Sequence, residues 1–404
     1  MKLSLVGLGM GDGKTMTMAA AQALAEADAV LGAPRLLDGL ERRTGVAYLP
    51  LSLPGEIARA IEEQPEWERV CVALSGDVGF YSAAAKLTGL LGNLKPTLIC
   101  GISSPQQLAA RLGRPWQDFH LVSAHGRDCD VLAEVLNHPA VFFLTGGGHS
   151  PSEICTQLTA AGLGEAAVTV GENLGGEDER IFSSTAAALS VENSAPLSVL
   201  LVENTKTFTR AAVSPGIADS AFTRGKAPMT KREVRVNILA QLGIAPGDIL
   251  YDIGAGTGSV AVEMALLARR GRVYAVECEE DACRLVEVNR ENFCTYNLNL
   301  VRGMAPAALE GLPPPDAAFV GGSKGNLREI ITWLYSKNPA VRIVVSAVTL
   351  ETLHQAVEAM EELGLAGVEI VQIAVSHAVP TGRLHMLRAE SPIFLISGGG
   401  RSDS

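Results

Sequence analysis

Short aliphatic runs alternate with stretches of helical periodicity along almost the whole chain. Residues 2–7 (KLSLVG) read as a strand running into a glycine-rich turn, and residues 15–31 read as an Ala-rich helix. Further strands are expected at 70–74, 97–102, 120–123, 141–145, 167–170 and 197–202, with helical patterns such as 106–112 and 151–161 between them. From Lys206 the aliphatic runs stop, and polar residues with Pro215 and Gly216 predict a linker over 206–221. A second series then begins, with helices at 233–242, 259–270, 280–292, 327–337 and 351–363. Its strands are at 249–253, 272–276, 298–301, 317–320 and 342–346. Two last strands, 368–375 and 392–396, have no helix between them and should pair antiparallel. Two α/β domains are therefore expected, 1–205 and 222–397, with a disordered tail at 398–404. The second should be a doubly wound, Rossmann-like sheet carrying an antiparallel hairpin with one reversed strand at its edge.

Composition fits this picture: apolar residues are 47% of the 404, charged residues 19%, aromatics 5%, and 42 are glycine. Buried parallel strands are short aliphatic runs, and glycines serve the loops at their ends. The net charge of −11 is the opposite of the basic footprint that nucleic-acid binding requires, so no nucleic-acid partner is expected. No apolar run is long enough to span a membrane, and the N-terminal apolar stretch is broken by glycines before a signal sequence is complete. The seven cysteines form no C-x-x-C pair and read as reduced thiols, so a cytoplasmic protein is expected. His120, His138, His354, His377 and His385 show no metal-ligand spacing, and no metal is expected.

The sharpest motif is Asp252-Ile253-Gly254-Ala255-Gly256-Thr257-Gly258, where a strand turns into a helix. Such a loop lies at the ligand-binding mouth of a doubly wound sheet. Glu277 ends the next strand, about 20 residues on, where an acid can bind ribose hydroxyls. A dinucleotide fingerprint would place its third glycine one residue later, and Asp252 would repel a pyrophosphate. S-adenosylmethionine carries an ammonium and a sulfonium that a carboxylate helps to hold, so it is the expected ligand. The loop after the fourth strand, Gly321-Gly322-Ser323-Lys324-Gly325, offers no side chains to grip a planar base. Upstream, Arg224, Lys226, Lys231, Arg232 and Arg235 concentrate positive charge at a helix start. This is either a solvated surface or a site for an anion.

In the first half, Gly7–Gly13 and Ser75-Gly76-Asp77-Val78-Gly79-Phe80-Tyr81 each follow a strand, and so do loops containing Ser104, His125-Gly126-Arg127 and His149. Physics alone predicts a polar, glycine-lined cleft for a small molecule. These loops, in this order, resemble the tetrapyrrole methylase family. The second half, with Pro228-Met229-Thr230-Lys231-Arg232-Glu233-Val234-Arg235 ahead of the glycine loop, resembles its decarboxylating partner in corrin synthesis. The family more often has Pro where Met10 stands between glycines.

The resemblance implies a two-lobed first domain and two S-adenosylmethionine sites. One would involve Gly9, Gly76, Asp77 and Ser104; the other Thr230, Asp252, Gly254, Ala255, Gly256, Thr257, Gly258, Glu277 and Ala305. It implies methylation of C5 and C15 of a reduced, polycarboxylate tetrapyrrole with loss of the C12 acetate as carbon dioxide. The substrate would be met by Arg224, Lys231, Arg235, Lys324, His125 and Arg127 in a homo-oligomer. A methyltransferase of RNA or protein with a non-catalytic N-terminal binding module is the alternative.

Overall fold

The computed structural model describes every residue except 12, 127–128, 209–213 and 401–404. The chain divides into two compact units, one of residues 1–131 with 140–204, the other of residues 132–139 with 205–404.

The first unit holds two five-stranded sheets. In one, β1 (Lys2–Gly7), β2 (Ala29–Gly32), β3 (Ala47–Pro50), β4 (Arg69–Leu74) and β5 (Thr97–Ile99) lie in the order β3-β2-β4-β1-β5, all parallel. After their first residue β1 and β4 are buried throughout, because helices cover both faces of a parallel sheet. The other sheet, of β6 (His120–Ser123), β7 (Ala140–Leu144), β8 (Ala167–Glu172), β9 (Arg180–Thr185) and β10 (Ser198–Glu203), has the order β6-β7-β10-β8-β9 and is mostly antiparallel. The helix expected over 15–31 stops at Ala25, and β2 follows. Asp28 makes the break: its carboxylate accepts the Glu68 and Arg69 N–H groups at 3.0 and 2.8 Å, tying the chain to the start of β4.

The second unit is a seven-stranded sheet of order β13-β12-β11-β14-β15-β19-β16. It comprises β11 (Ile249–Ile253), β12 (Arg272–Glu277), β13 (Leu298–Arg302), β14 (Ala317–Val320), β15 (Arg342–Ala347), β16 (Glu369–Ile373) and β19 (Ile393–Gly399). β19 runs antiparallel to both β15 and β16, so the expected terminal pairing is present. The reversed strand is second from the edge rather than at it. β19 also continues through Gly399, which shortens the expected tail; residues 401–404 lie outside the described residues. Between β16 and β19 an unexpected ribbon forms from β17 (Ser376–Thr381) and β18 (Leu384–Ala389), every residue of it exposed. The stretch expected as a linker contributes buried Phe208 and Ile217 to this unit. Among the described residues, no helix is long and apolar enough to cross a membrane.

Candidate active site

The loop 254–258 leaves β11 and enters the helix Ser259–Leu267, whose residues through Leu266 are all buried. That helix starts on Gly258 with no side-chain cap of its own. Asp252 supplies the missing acceptor from the strand, taking the Ala261 N–H at 2.9 Å. Only 1% exposed, Asp252 sits behind the loop rather than on a cavity wall. Burial pushes its carboxyl up to about 7, opposed by the Ala261 N–H and reinforced by the charge of Glu277. The expectation that Asp252 touches the cofactor is thus corrected: its carboxylate caps a helix. Thr257 and Gly258 also lie behind the wall, with the Thr257 carbonyl accepting the Asn289 amide at 2.9 Å.

Gly254, Ala255, Gly256, Glu277, Thr230 and Ala305 do line a cavity of about 480 Å³. Close backbone approach explains the glycines. A Cβ on Gly254 would fall 2.6 Å from the backbone of Gly322, and one on Gly256 2.7 Å from the Pro228 carbonyl oxygen, both at positive φ. Glu277 braces this floor: one carboxylate oxygen accepts Gly256 N–H at 2.8 Å, the other Cys278 and Glu279 N–H at 2.8 and 2.9 Å. Each carboxylate oxygen has two lone-pair directions, so after these three bonds one acceptor position remains on a residue that lines the cavity. The loop after β14 forms the opposite side through Gly321, Gly322, Ser323 and Lys324. Lys324 reaches across to Glu279 at 2.7 Å, and this ion pair holds the Glu279 carboxyl below its usual range.

The basic cluster divides. Arg224 and Lys226 are exposed, and Lys226 lines the cavity. Lys231 is half-buried, 4.0 Å from Asp219. Arg235 is 0% exposed, with its Nε 2.9 Å from Glu263 and an Nη 2.9 Å from Asp219. A guanidinium enclosed in this way cannot meet a substrate carboxylate, so Arg235 is withdrawn from the expected substrate set.

In the first unit a cleft of about 870 Å³ is walled by both sheets, with Gly76, Asp77, Ser104 and His125 among its lining. Asp77 ties two loops together, accepting Gly79 N–H at 2.8 Å and Gly101 N–H at 3.1 Å. Gly9 is buried beneath, exchanging backbone hydrogen bonds with Gly76 at 3.2 and 2.8 Å, and the neighbouring Met10 lines the cleft instead. His125 Nδ1 lies 3.3 Å from the Thr145 carbonyl oxygen. Arg127 lies outside the described residues.

Each α/β unit carries a glycine-floored cavity, and the family models identify both units as methyltransferase domains. Residues 2–190 match the tetrapyrrole (corrin/porphyrin) methylases, and residues 220–397 match the precorrin methyltransferase domain. A Sinorhizobium precorrin-6Y C(5,15)-methyltransferase [decarboxylating] is 31% identical over 97% of this chain and 94% of its own length. A probable cobalt-precorrin-6B C(15)-methyltransferase (decarboxylating) of Saccharolobus solfataricus is 40% identical, covering 46% of this chain and 96% of that protein. Among solved structures, a precorrin-6Y C5,15-methyltransferase from Geobacter metallireducens is 36% identical with a TM-score of 0.44, covering 46% of this chain and 96% of that one. The chain belongs to the precorrin-6Y C(5,15)-methyltransferase (decarboxylating) family. It is an S-adenosylmethionine-using enzyme that acts on a tetrapyrrole, which removes the alternative of an RNA or protein acceptor.

Proposed function

We propose that the chain moves two methyl groups, from two S-adenosylmethionine molecules, to C5 and C15 of a precorrin-6B-type tetrapyrrole, with loss of the C12 acetate as carbon dioxide, in cobalamin biosynthesis. The observation that carries this reading is a glycine-walled cavity in each unit, with no residue shared between the two linings. In the second unit Thr230, Gly254, Ala255, Gly256, Glu277 and Ala305 hold one cofactor. The one acceptor position left on Glu277 suits a hydroxyl donor, and the bare glycine backbone lets a ligand lie close. In the first unit Gly76, Asp77 and Ser104 hold the other, with Gly9 setting the loop from behind.

S-adenosylmethionine, when bound, supplies the methyl group and its own leaving group. The protein's part is alignment and exclusion of water. Arg224, Lys231 and Lys324 meet the macrocycle's carboxylates in the second unit, and His125 contacts it in the first, since Arg and Lys bind carboxylates by charge-assisted hydrogen bonds. Decarboxylation and C15 methylation belong to the second unit and C5 methylation to the first. A relative named for C(15) methylation with decarboxylation, without C5, covers 46% of this chain, about the length of one unit, and this supports dividing the steps between the two units.

We also propose a homo-oligomer in the cytoplasm. The ribbon β17–β18 exposes Leu384 (73%), Met386 (61%) and Leu387 (77%), more apolar surface than an isolated hairpin keeps in water without a partner. Sedimentation of the chain tests this, and a monomer at all concentrations would refute it. For the reaction, incubation with a precorrin-6B-type substrate and S-adenosylmethionine should give a product that has gained two methyls and lost carbon dioxide. Calorimetric titration with S-adenosylhomocysteine should resolve two sites per chain. A single-site isotherm, or a product with one methyl, would refute the reading.

A further inference from the structure

One wall of the second unit's cavity does not come from the doubly wound sheet at all. Lys226, Ala227, Pro228 and Thr230 line it from the chain upstream, and the Pro228 carbonyl packs directly against Gly256 of the glycine loop. That stretch has no regular secondary structure, so its own backbone cannot fix where it lies.

Three buried side chains fix it instead. Arg235, in the first turn of the helix Arg232–Leu242, donates to the Thr230 carbonyl at 2.5 Å and to the Ile217 carbonyl. The same guanidinium bonds Asp219 and Glu263 and lies 4.9 Å over the Phe222 ring. Glu263, 2% exposed, accepts the Gly216 N–H at 2.6 Å and the Ile217 N–H at 3.2 Å. It stands on the helix that the glycine loop opens. Asn289, 0% exposed, exchanges hydrogen bonds with the backbone of Thr223 at 2.8 and 3.0 Å and donates to the Thr257 carbonyl in the glycine loop. Asn289 and Glu263 therefore join the strap to the glycine loop and to that loop's helix, while Arg235 joins it to the helix Arg232–Leu242 and, through Glu263, to the loop's helix.

We infer that Arg235, Glu263 and Asn289 latch residues 216–230 down as a wall of the cofactor cavity, making them positioning residues for S-adenosylmethionine. Four of the five N–H donors of the Arg235 guanidinium are bonded, in four different directions, so the group fixes the segments it touches in one geometry. The inference rests on the reading that this cavity takes the cofactor. It adds that the strap and the glycine loop form a single binding unit. Loosening the latch would weaken cofactor binding and leave the methyl-transfer step itself unchanged.

The test uses the full chain. In wild type, S-adenosylhomocysteine should slow amide hydrogen exchange across 216–230 by about tenfold or more, together with exchange in 254–258. Asn289→Ala should raise the KM for S-adenosylmethionine in the C15 reaction by about tenfold while kcat stays within about twofold. Arg235→Lys, which keeps charge but has fewer donors, should lie between wild type and Arg235→Met. Where Arg235→Met fails to fold, the Asn289 variant and the wild-type exchange still decide. If the second unit binds the homocysteine but strap exchange is unchanged, or KM is unchanged in Asn289→Ala, the latch is refuted alone. If Gly256→Val leaves the binding stoichiometry as it was in wild type, the cofactor reading falls and the latch with it.

Discussion

Replacing Gly256 places a side chain where the loop and the strap are closest. Its φ is +56°, and a Cβ built there would lie 2.7 Å from the Pro228 carbonyl oxygen, against an ordinary contact distance of 3.4–4 Å. A non-glycine residue in the left-handed region costs about 1–2 kcal/mol. Overpacking against a neighbour that cannot yield adds about 1–3 kcal/mol. Pro228 is such a neighbour, because the strap that carries it is tied down at Thr223 and Thr230. The sum, about 2–5 kcal/mol, must appear as lost stability of the second unit, lost cofactor affinity, or both. Gly256→Ala should therefore weaken S-adenosylhomocysteine binding by about thirtyfold or more or lower the melting temperature correspondingly. Gly256→Val, branched at the clashing carbon, should remove the site. Gly322→Ala is the control: its φ is not positive and its nearest atom, Gly254 Cα, is 3.8 Å away, so melting should be unchanged. Calorimetric titration with parallel thermal denaturation reads both quantities. A Gly256→Val chain with wild-type stability and two wild-type sites would refute the geometry.

Asp252 gives a pH dependence. Its folded carboxyl is raised to about 7 from the ordinary aspartate value of 3.8, so between those values the folded state holds more protons than the unfolded. Unfolding free energy of the ligand-free second unit should fall as pH rises from about 4 to about 7, by at most about 1.4 kcal/mol per pH unit, and this contribution should flatten above about 7. Chemical denaturation of Asp252→Asn across that range should lack the slope, and an identical slope in the variant would refute the assignment. Lys324 and Glu279 are 55% and 66% exposed, and such pairs contribute about 0–1 kcal/mol. Lys324→Ala should thus leave melting nearly unchanged while raising the tetrapyrrole KM about tenfold; unaltered KM would remove Lys324 from the substrate set. A fragment beginning at residue 219 loses Gly216 and Ile217, leaving Glu263 and Arg235 short of buried partners. It should be less stable than one beginning at 205 by about 3 kcal/mol, and equal denaturation midpoints would refute the strap's contribution.

Where the fold was legible, the signal was local. β11, β12 and β15 stand out because each is a short aliphatic run between helical periods, and the terminal antiparallel pair because no helix separates 368–375 from 392–396. Strands β2 and β3 were not legible. Ala29–Gly32 is a four-residue apolar run following an Ala-rich helix, and periodicity cannot separate the two when the run is so short and fully buried. The ribbon β17–β18 has a weaker excuse. Gly382 at φ +62° sits in a two-residue connection between Thr381 and Leu384, a hairpin signal present in the sequence.

The candidate site divides along the same line. Gly254, Gly256 and Glu277 were recognisable because a tight strand-to-helix turn and an acid at the next strand's end are contiguous features. Arg235 was misassigned because counting basic residues near a helix start says nothing about which face each occupies. Its face was available, since Arg235, Ile238, Leu239 and Leu242 repeat at helical spacing and all are buried, which puts the arginine on the core stripe. Glu263 carries the matching signal, the one charge in the helix SVAVEMALL. A carboxylate in so apolar a helix is tolerated only with a buried partner. A lone arginine on the buried stripe of one helix and a lone glutamate on that of a helix packed against it are each other's expected solution. The pair moves Arg235 out of the basic cluster and ties part of the apparent linker, through Gly216 and Ile217, to the helix that the glycine loop opens.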